Sequence, residues 1–323
     1  MIIDRPFLTI VVPVYNVEKY IGSLLACLFD QTNSNFEIIF VDDGSTDRSL
    51  EIVRQNLPTI RKKVSAKLVK QKNEGLSSAR NSGAAVATGT YIFFLDSDDV
   101  IAENFVEMIN YFCDYYDNPD TLIFDYESIN EFGENIESFY GHGDIYQKKD
   151  LLNNDEVLLS LSKDEVPTTA WSFVTKRSII VKNDISFSIG KKFEDTNYTP
   201  KVFYFSEGIA PIDLPLYKYR QRPGSIMTEN ISDYESDAVF VIEDLFAFYK
   251  LHPKKSLGAV VGRSVITTLS SFLNSKIIFN ALQPIRNSVK SDYLDAENVY
   301  IKRLKMYIFK NYFGYKIYSL LKR

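Results

Sequence analysis

The stretch Tyr91–Val100, YIFFLDSDDV, places three acids directly after a run of apolar and aromatic side chains. The run Tyr91–Leu95 is typical of a buried strand. Asp96, Asp98 and Asp99 carry carboxylates, which seldom lie in a dry core unless they are paired. Acids at the end of a core strand predict a polar site where that strand leaves the sheet.

Three other apolar runs precede this one, and amphipathic segments separate them all. As predicted strands, the four runs in chain order are FLTIVVPVY, FEIIFVDD, AKLVKQ and YIFFLD. Strands that alternate with helices in this way form a mostly parallel central sheet with helices on both faces, an α/β fold. The helix after the second strand is expected to run from Thr46 to Leu57, with Ser45 as its N-cap.

The polar residues that follow three of these strands are expected to meet. The first strand ends in PVYN, the second in VDDGS and the fourth in LDSDD. The carboxyl ends of parallel strands share one edge of a sheet, and ligands bind outside that edge. Asp and Asn also favour turns for local reasons, which leaves a purely structural interpretation open. Two acid pairs at one edge, Asp42 with Asp43 and Asp98 with Asp99, favour a site.

Bulk composition excludes several classes of protein. The chain has 323 residues, 45% of them hydrophobic, and a formal net charge of -5, which argues against a nucleic-acid partner. Cys27 and Cys113 lie in apolar helical patterns, as in a reduced, cytosolic protein. Neither a signal peptide nor an apolar run of roughly 20 residues is visible, so a cytoplasmic protein is expected. The P-loop and GxGxxG patterns of other nucleotide enzymes are also absent from the sequence.

The clustered acids predict a ligand as well as a site. Closely spaced carboxylates repel one another unless a cation joins them. Oxygen ligands suit Mg²⁺ or Mn²⁺, which proteins hold through one or two carboxylates together with substrate phosphates. We therefore expect a metal-chelated phosphate or diphosphate. Arg80, in the segment NEGLSSARNSG, is placed to contact a phosphate or a base edge, although an ordinary surface arginine fits the same pattern.

Four segments, in this order, resemble the motifs of glycosyltransferase family 2. They are TIVVPVYNVEKYIGSLLACLFDQT, EIIFVDDGSTDRS, NEGLSSARNSGAAVATGTYIFFLDSDD and FEDTNYTPKVF. The resemblance is strong over about the first hundred residues, continues more loosely to about Ser225 and does not extend to the final hundred. It implies the GT-A fold, which is Rossmann-like, and an inverting enzyme that uses a UDP-sugar and Mn²⁺ or Mg²⁺.

The resemblance also implies a nucleotide-sugar site. The residues carried over by position are Pro13, Val14, Tyr15, Asp42, Asp43, Asn73, Gly75, Arg80, Asp96 and Ser97. The first three would line the nucleobase pocket. Asp42 would contact the uracil while Asp43 supports the turn, and the segment from Asn73 to Arg80 would lie over the nucleotide.

The same resemblance assigns the acids of the opening stretch to metal binding. Asp96-Ser97-Asp98 matches the DXD motif, so Asp98 is the expected metal ligand, with Asp96 nearer the ribose and a further ligand. Asp99 is a supporting residue or an alternative ligand. A histidine that closes the nucleotide site in some relatives has no counterpart here, since His142 and His252 lie elsewhere.

Glu194 and Asp195 match the acidic pair that supplies the catalytic base of the family, and Asp195 is the expected base. Acids at the start of a predicted helix also interact favourably with its dipole, and both interpretations can hold. An acceptor hydroxyl would attack the anomeric carbon opposite UDP, and one displacement would invert that centre. Trp171 is expected to stack on an acceptor sugar or to lie half-buried in the core. Arg220 and Arg222 are candidates for the donor phosphate, the acceptor or the surface.

The chain divides into two expected parts. Residues 1–225 would form the catalytic domain, with a nucleotide-sugar part at 1–118 and an acceptor part at 119–225, and residues 226–323 a helical C-terminal region. The segment Val299–Arg323 has seven basic residues and no acid. It predicts an amphipathic helix on an anionic membrane surface, at the inner face of the cell membrane. A helix that packs on the protein or on a second subunit fits the same segment.

The resemblance implies transfer of a sugar from a UDP-sugar to a hydroxyl of a glycan or lipid-linked acceptor, as in bacterial cell-surface polysaccharide synthesis. Two alternatives stay open: a catalytically silent scaffold that keeps the fold, and a metal-dependent nucleotidyltransferase. Intact Asp98 and Asp195 oppose the first. The second would usually need a Gly-rich, basic nucleotide loop near the first strand, which VVPVYN lacks. A homo-oligomer is left open.

Overall fold

The computed structural model describes residues 5–136, 144–222, 234–272 and 275–289. Within these residues one sheet contains nine strands. The strands are β1 (Leu8–Val14), β2 (Phe36–Asp42), β3 (Ser65–Lys70), β4 (Tyr91–Phe94), β5 (Val100–Ile101), β6 (Thr121–Ile129), β7 (Asn135–Ile136), β8 (Phe173–Lys176) and β9 (Ile209–Arg220). The helices are α1 (Ile21–Phe29), α2 (Ser49–Ile60), α3 (Leu76–Ala85), α4 (Phe105–Tyr115), α5 (Asn154–Ser162), α6 (Arg177–Lys182), α7 (Asp195–Phe205), α8 (Glu235–Leu251), α9 (Lys255–Ser271) and α10 (Lys276–Ser288).

The first four strands are parallel and lie in the order β3-β2-β1-β4. Every residue of β1 and β2 is buried, because helices cover both faces of this part of the sheet. Successive side chains of a strand alternate between the faces. Ile10 and Ile38 pack with α1, α2 and α4 on one face, and Val11 and Ile39 pack with α3 on the other. The predicted α/β fold is confirmed.

Beyond β4 the sheet is mixed. The order continues β8-β6-β9-β5, with β8 antiparallel to both neighbours, β5 antiparallel to β9, and β6 parallel to β9. In the parallel part, Val14 of β1 lies opposite Asp42 of β2, and Val11 lies opposite Phe94 of β4. The polar residues that follow these strands therefore lie at one edge of the sheet, as the sequence predicts.

Helix α2 begins later than predicted, and Ser45 does not cap it. The predicted start was Thr46, whereas the helix begins at Ser49. The residues before it make tertiary hydrogen bonds instead: Asn16 Oδ1 accepts from the N–H groups of Thr46 at 2.8 Å and Asp47 at 3.3 Å. Asp47 Oδ1 then accepts from the N–H of Ser49 at 2.9 Å. The bonds to the end of β1 thus decide where the helix begins.

Helices α8, α9 and α10 pack on one another, and α5 and α7 pack against this group. A single hydrophobic core continues from Phe94 in the sheet to Val241, Val260 and Ile278 in these helices. The described C-terminal residues are helical, as predicted, while the boundary near residue 225 stays a prediction. The basic segment Val299–Arg323 lies outside the described residues. Of the helices in the described ranges, none combines the length and the apolar character needed to cross a membrane.

Candidate functional site

Asp43 binds together the two loops of the predicted nucleotide pocket. Its carboxylate accepts hydrogen bonds from the backbone N–H groups of Glu74 and Gly75, each at 2.9 Å. The loops approach so closely that a Cβ on Gly44, whose φ is +75°, would lie 3.0 Å from the backbone nitrogen of Asn73. Asp43 therefore holds the loop before α3 against the end of β2.

The other residues predicted for the nucleobase lie at the same edge of the sheet. Pro13 and Val14 are buried at the end of β1, and the next residue, Tyr15, is 43% exposed. Asp42 is buried at the end of β2 and accepts a hydrogen bond from the N–H of Ser45 at 3.2 Å. The structure thus brings these residues together, while the uracil contact of Asp42 stays a prediction.

The three acids after β4 lie in one tight turn, in which Asp99 is buried while Asp96 and Asp98 are partly exposed. The N–H of Asp99 donates to the carbonyl of Asp96 at 3.1 Å. The buried Asp99 carboxylate accepts from the hydroxyl of Tyr217 at 2.5 Å and from the N–H of Arg220 at 2.6 Å. Burial, followed by the charges of Asp98 and Asp96, raises the pKa of Asp99 well above its usual value. The side chains of Asp96 and Asp98 are 24% and 22% exposed, so they are the acids of this turn that reach solvent.

Two arginines at the end of β9 hold the same turn. Arg220 is buried and donates its Nε–H to the carbonyl of Asp98 at 2.7 Å, so it is not a surface residue. Arg222 donates its Nε–H to Oδ2 of Asp98 at 2.7 Å. Both guanidinium groups lie over the ring of Tyr20. Burial, followed by the charge of Asp96, raises the pKa of Asp98, and Arg222 opposes that rise.

Arg80 joins Asp96 to the acidic pair at the start of α7. Its Nη2 donates to Oδ1 of Asp96 at 2.8 Å, and its Nη1 donates to Oε1 of Glu194 at 2.9 Å and Oδ1 of Asp195 at 3.1 Å. The side chain is 2% exposed, and its guanidinium lies 5.1 Å from the ring centre of Phe187. Burial lowers the pKa of Arg80, but the three carboxylates raise it more, so the guanidinium is charged. The alternative of an ordinary surface arginine is wrong.

Helix α3 brings Arg80 to this position because its small residues let it lie close to the sheet. A Cβ on Gly83 would lie 2.3 Å from a side-chain methyl of Val11 in β1. Ala79, directly before Arg80, is fully buried against the same face of the sheet. The run of small residues in GLSSARNSGAA is therefore a packing requirement that places one long cation between Asp96 and the acidic pair.

Asp195 opens α7, as predicted for an acid at a helix start, and Glu194 directly precedes it. Oδ2 of Asp195 accepts a hydrogen bond from the N–H of Ala170 at 3.2 Å. Burial raises the pKa of Asp195 to about 7, even though the charge of Arg80 lowers it. A carboxyl group whose pKa lies near 7 can take up and release protons at neutral pH, which is what a general base requires.

Asp96 and Asp98 are the carboxylates that would hold Mg²⁺ or Mn²⁺. Both side chains are partly exposed. Burial, followed by the charge of Asp96, raises the pKa of Asp98, and a cation would relieve the repulsion between the two acids. In the described part of the chain no three His, Cys, Asp or Glu side chains form a metal cluster. His252 packs against the ring of Phe248, and His142 lies outside the described residues. Since Mg²⁺ takes one or two carboxylates and completes its shell with phosphates and water, the two acids fit such an ion.

Comparison with known proteins identifies the family. A model described as Glycosyl transferase family 2 matches residues 9–159. Glycosyltransferase GlyG of Streptococcus pneumoniae is 31% identical over 225 residues, which cover 68% of this chain and 72% of GlyG. The chain belongs to glycosyltransferase family 2. Glycosyltransferase GlyA of the same organism is 31% identical over 319 residues, which cover 92% of this family 2 chain but 44% of GlyA. The chain therefore spans less than half the length of GlyA.

Solved structures share the fold of this family 2 chain. S. aureus TarS 1-349 in complex with UDP-GlcNAc matches with a TM-score of 0.64 at 22% identity, over 93% of this chain and 83% of that one. The mannosyltransferase PcManGT from Pyrobaculum calidifontis, in complex with GDP-Man and Mn²⁺, matches with a TM-score of 0.52 at 17% identity, over 98% and 84% of the two chains. Likeness at these identities concerns the fold alone, and the predicted GT-A fold is confirmed.

Trp171 lies deeper than a platform for a sugar would. The residue is 6% exposed, and its ring stacks against Tyr217 with ring centres 4.4 Å apart and against Tyr219 at 5.6 Å. Tyr126 meets it edge-on at 5.0 Å. The indole therefore packs in the core beside β6 and β9, more buried than the half-buried alternative, and its acceptor contact stays a prediction.

Three residues that sequence reasoning did not name also contact the site. They are Tyr217, whose hydroxyl donates to Asp99, Ala170, whose N–H donates to Asp195, and Phe187, whose ring faces the guanidinium of Arg80. Tyr217 alone has a sequence signal, because a tyrosine in a buried strand needs a partner for its hydroxyl. A backbone N–H and an aromatic face carry no residue-type signal, so the other two are visible only in the fold.

Proposed function

We propose that this chain transfers a sugar, with inversion, from a UDP-sugar to a hydroxyl of a glycan or lipid-linked acceptor in bacterial cell-surface polysaccharide synthesis. The observation that carries the proposal is Arg80, which bonds Asp96 on one side and Glu194 and Asp195 on the other. One buried cation thus fixes the donor acid relative to the base. Family membership supports sugar transfer, and the TarS complexes with UDP-GlcNAc and UDP support a UDP-linked donor.

In this reaction Asp195 acts as the general base. The acceptor oxygen attacks the anomeric carbon on the face opposite the diphosphate, and the bond from that carbon to UDP breaks with its electron pair leaving on UDP. The hydroxyl proton passes to Asp195, whose two oxygens are oriented by Ala170 and Arg80. Mg²⁺ or Mn²⁺ held by Asp96 and Asp98 would supply positive charge for the leaving diphosphate. A single displacement needs no protein nucleophile.

The proposal assigns a task to each part of the chain. Residues 1–118 would bind the donor, with the nucleobase near Tyr15 and the Asn73–Gly75 loop. Residues 119–225 would bind the acceptor and supply the base. The segment Val299–Arg323 would hold the protein at an anionic membrane surface, where basic residues are attracted and a lipid-linked acceptor lies.

Release of UDP from a panel of UDP-sugars tests the proposal. We expect the full chain to release UDP from at least one donor in Mn²⁺ or Mg²⁺ but not in EDTA. Asp98→Ala should weaken metal-dependent UDP affinity by at least about tenfold, since it removes a ligand of the ion. Asp213→Ala, at an exposed acid of β9, is the control that should change neither. A chain that binds UDP yet releases it from no donor would be the silent scaffold. Identical UDP titrations with and without EDTA would show that UDP binding needs no divalent metal ion.

The rate of transfer should rise with pH through about pH 7. The base works only when it is deprotonated, and burial raises the pKa of Asp195 to about 7. The profile of kcat/KM against pH reports the free enzyme, so its acid limb should have a midpoint near that value. UDP affinity must be measured over the same range, because the pKa of Asp98 is raised as well. A kcat/KM that stays flat down to pH 5 would contradict Asp195 as the base.

A further inference from the structure

Side chains on one face of α8 bond the residues that precede and follow Glu194 and Asp195 in the chain. Asp237 and Asp244 lie seven residues apart on α8, which is about two helical turns, so they share one face. Asp237 accepts hydrogen bonds from Nζ of Lys191 at 3.0 Å and, through its other oxygen, from the backbone N–H of Lys192 at 3.1 Å. These two lysines directly precede the turn that carries the acidic pair.

Asp244 holds the residues that follow the acidic pair. Its Oδ2 accepts a hydrogen bond from Nδ2 of Asn197 at 2.8 Å and forms an ion pair with Nζ of Lys201. Asn197 is 1% exposed and donates a second hydrogen bond to Oγ of Ser188 at 3.0 Å. The first two turns of α7 are therefore fixed to α8 by side chains.

The backbone between these two attachments is strained. Phe193 lies between them, directly before Glu194, and has a φ of +62°. A bulky residue with positive φ is a genuine outlier, and such strain persists only where the surrounding structure holds it in place. The bond from the N–H of Lys192 to Asp237 is such a restraint, and it lies one residue from Phe193.

We propose that Asp237 and Asp244, the α8 acid pair, are positioning residues that set the orientation of Asp195 and thereby the rate of sugar transfer. The inference rests on the proposed function of Asp195 as the base. The α8 acid pair acts through the Lys191–Lys192 segment and α7, whereas α3 and the turn after β4 hold the donor acids. We therefore expect the α8 acid pair to affect turnover and not donor affinity.

Kinetics on the full chain test the α8 acid pair. We expect Asp237→Ala and Asp244→Ala each to lower kcat by about tenfold, because small displacements of a catalytic group are costly. The donor KM and the UDP affinity should stay within about twofold of the wild type. Asp237→Asn keeps an acceptor for the Lys192 N–H and should be milder. Glu243→Gln, at an exposed acid of the same helix, is the matched control and should change nothing.

Amide hydrogen exchange over residues 189–197 gives a readout that needs no activity. Exchange there should be faster in Asp237→Ala than in Glu243→Gln, while the segment around Asp96 stays as protected as in the wild type. If the wild-type chain transfers no sugar yet exchange responds in this way, the attachment stands and the proposed function fails. If the chain does transfer sugar and the alanine variants match Glu243→Gln, the inference is overturned. Equal losses in kcat, donor affinity and thermal stability would also overturn the inference. If Asp237→Ala does not fold, the same measurements are made on Asp237→Asn.

Discussion

Asp195→Asn should lower the rate of sugar transfer by about 10²–10⁴-fold, the usual contribution of a general base. The amide has the size of the carboxylate and can still accept the hydrogen bond from the N–H of Ala170, although its NH2 group cannot accept from Arg80. Arg80 keeps its bonds to Glu194 and Asp96, so the fold of the turn should persist. What the amide cannot do is take the proton of the acceptor hydroxyl. An interaction made only in the transition state affects kcat and leaves ground-state binding alone, so UDP affinity should stay within about twofold.

The comparison that decides this prediction uses two further variants. Asp213→Asn makes the same chemical change at an exposed position of β9 and should keep the wild-type rate. Glu194→Gln removes the neighbouring acid, which also bonds Arg80, and should lower the rate less than Asp195→Asn does. Initial rates of UDP release with acceptor present, together with calorimetric UDP titrations, measure both quantities. A near-normal rate in Asp195→Asn would move the base to Glu194 or to another group.

The sheet could be predicted from the sequence because its signals are local. All four residues of β4 are buried, and the run is bounded by Gly89 before it and Asp96 after it. A Cβ on Gly89 would lie 2.6 Å from the backbone nitrogen of Thr9, so the glycine is required where β4 enters beside β1. Strands of a parallel sheet are buried on both faces and read as continuous apolar runs. The acids that follow such runs then fall at the ligand-binding edge without any further information.

The joining of the two halves of the site could not be predicted, because its contacts span long stretches of sequence. Arg80 bonds Asp96 across 16 residues but Asp195 across 115, and Asp99 meets Tyr217 across 118. Residue type alone does not separate a buried arginine from an exposed one. Only the packing of α3 on β1 buries Arg80, and the partners of a buried cation are visible only when all of its neighbours are placed. For the same reason the pattern around Trp171 was compatible with both a sugar platform and a core residue.

Arg80→Met should destabilise the protein and abolish transfer. The substitution keeps a long apolar side chain but leaves Asp96, Glu194 and Asp195 without their shared cation. Breaking a buried ion pair from one side typically costs about 3–5 kcal/mol of unfolding free energy, and partial exposure of the three acids favours the lower end. Burial raises the pKa of Asp195 to about 7 against the charge of Arg80, so without that charge the pKa should rise above 7 and the base would be protonated at neutral pH.

Arg80→Lys separates charge from geometry in the same network. A lysine restores one positive charge but presents it as a compact point, whereas the planar guanidinium of Arg80 bonds three carboxylates on two sides. We expect part of the lost stability to return while transfer remains at least about tenfold below the wild type, because the donor acid and the base are no longer held by one rigid group.

Arg48→Met is the control for Arg80→Met: the pair of Arg48 with Glu51 spans 3.7 Å between side chains that are 71% and 57% exposed. Such a surface pair contributes little, so that variant should stay within about 0.5 kcal/mol of the wild type in urea unfolding. Equal stability of Arg80→Met and Arg48→Met would show that the acids at residues 96 and 195 are positioned independently of the arginine between them.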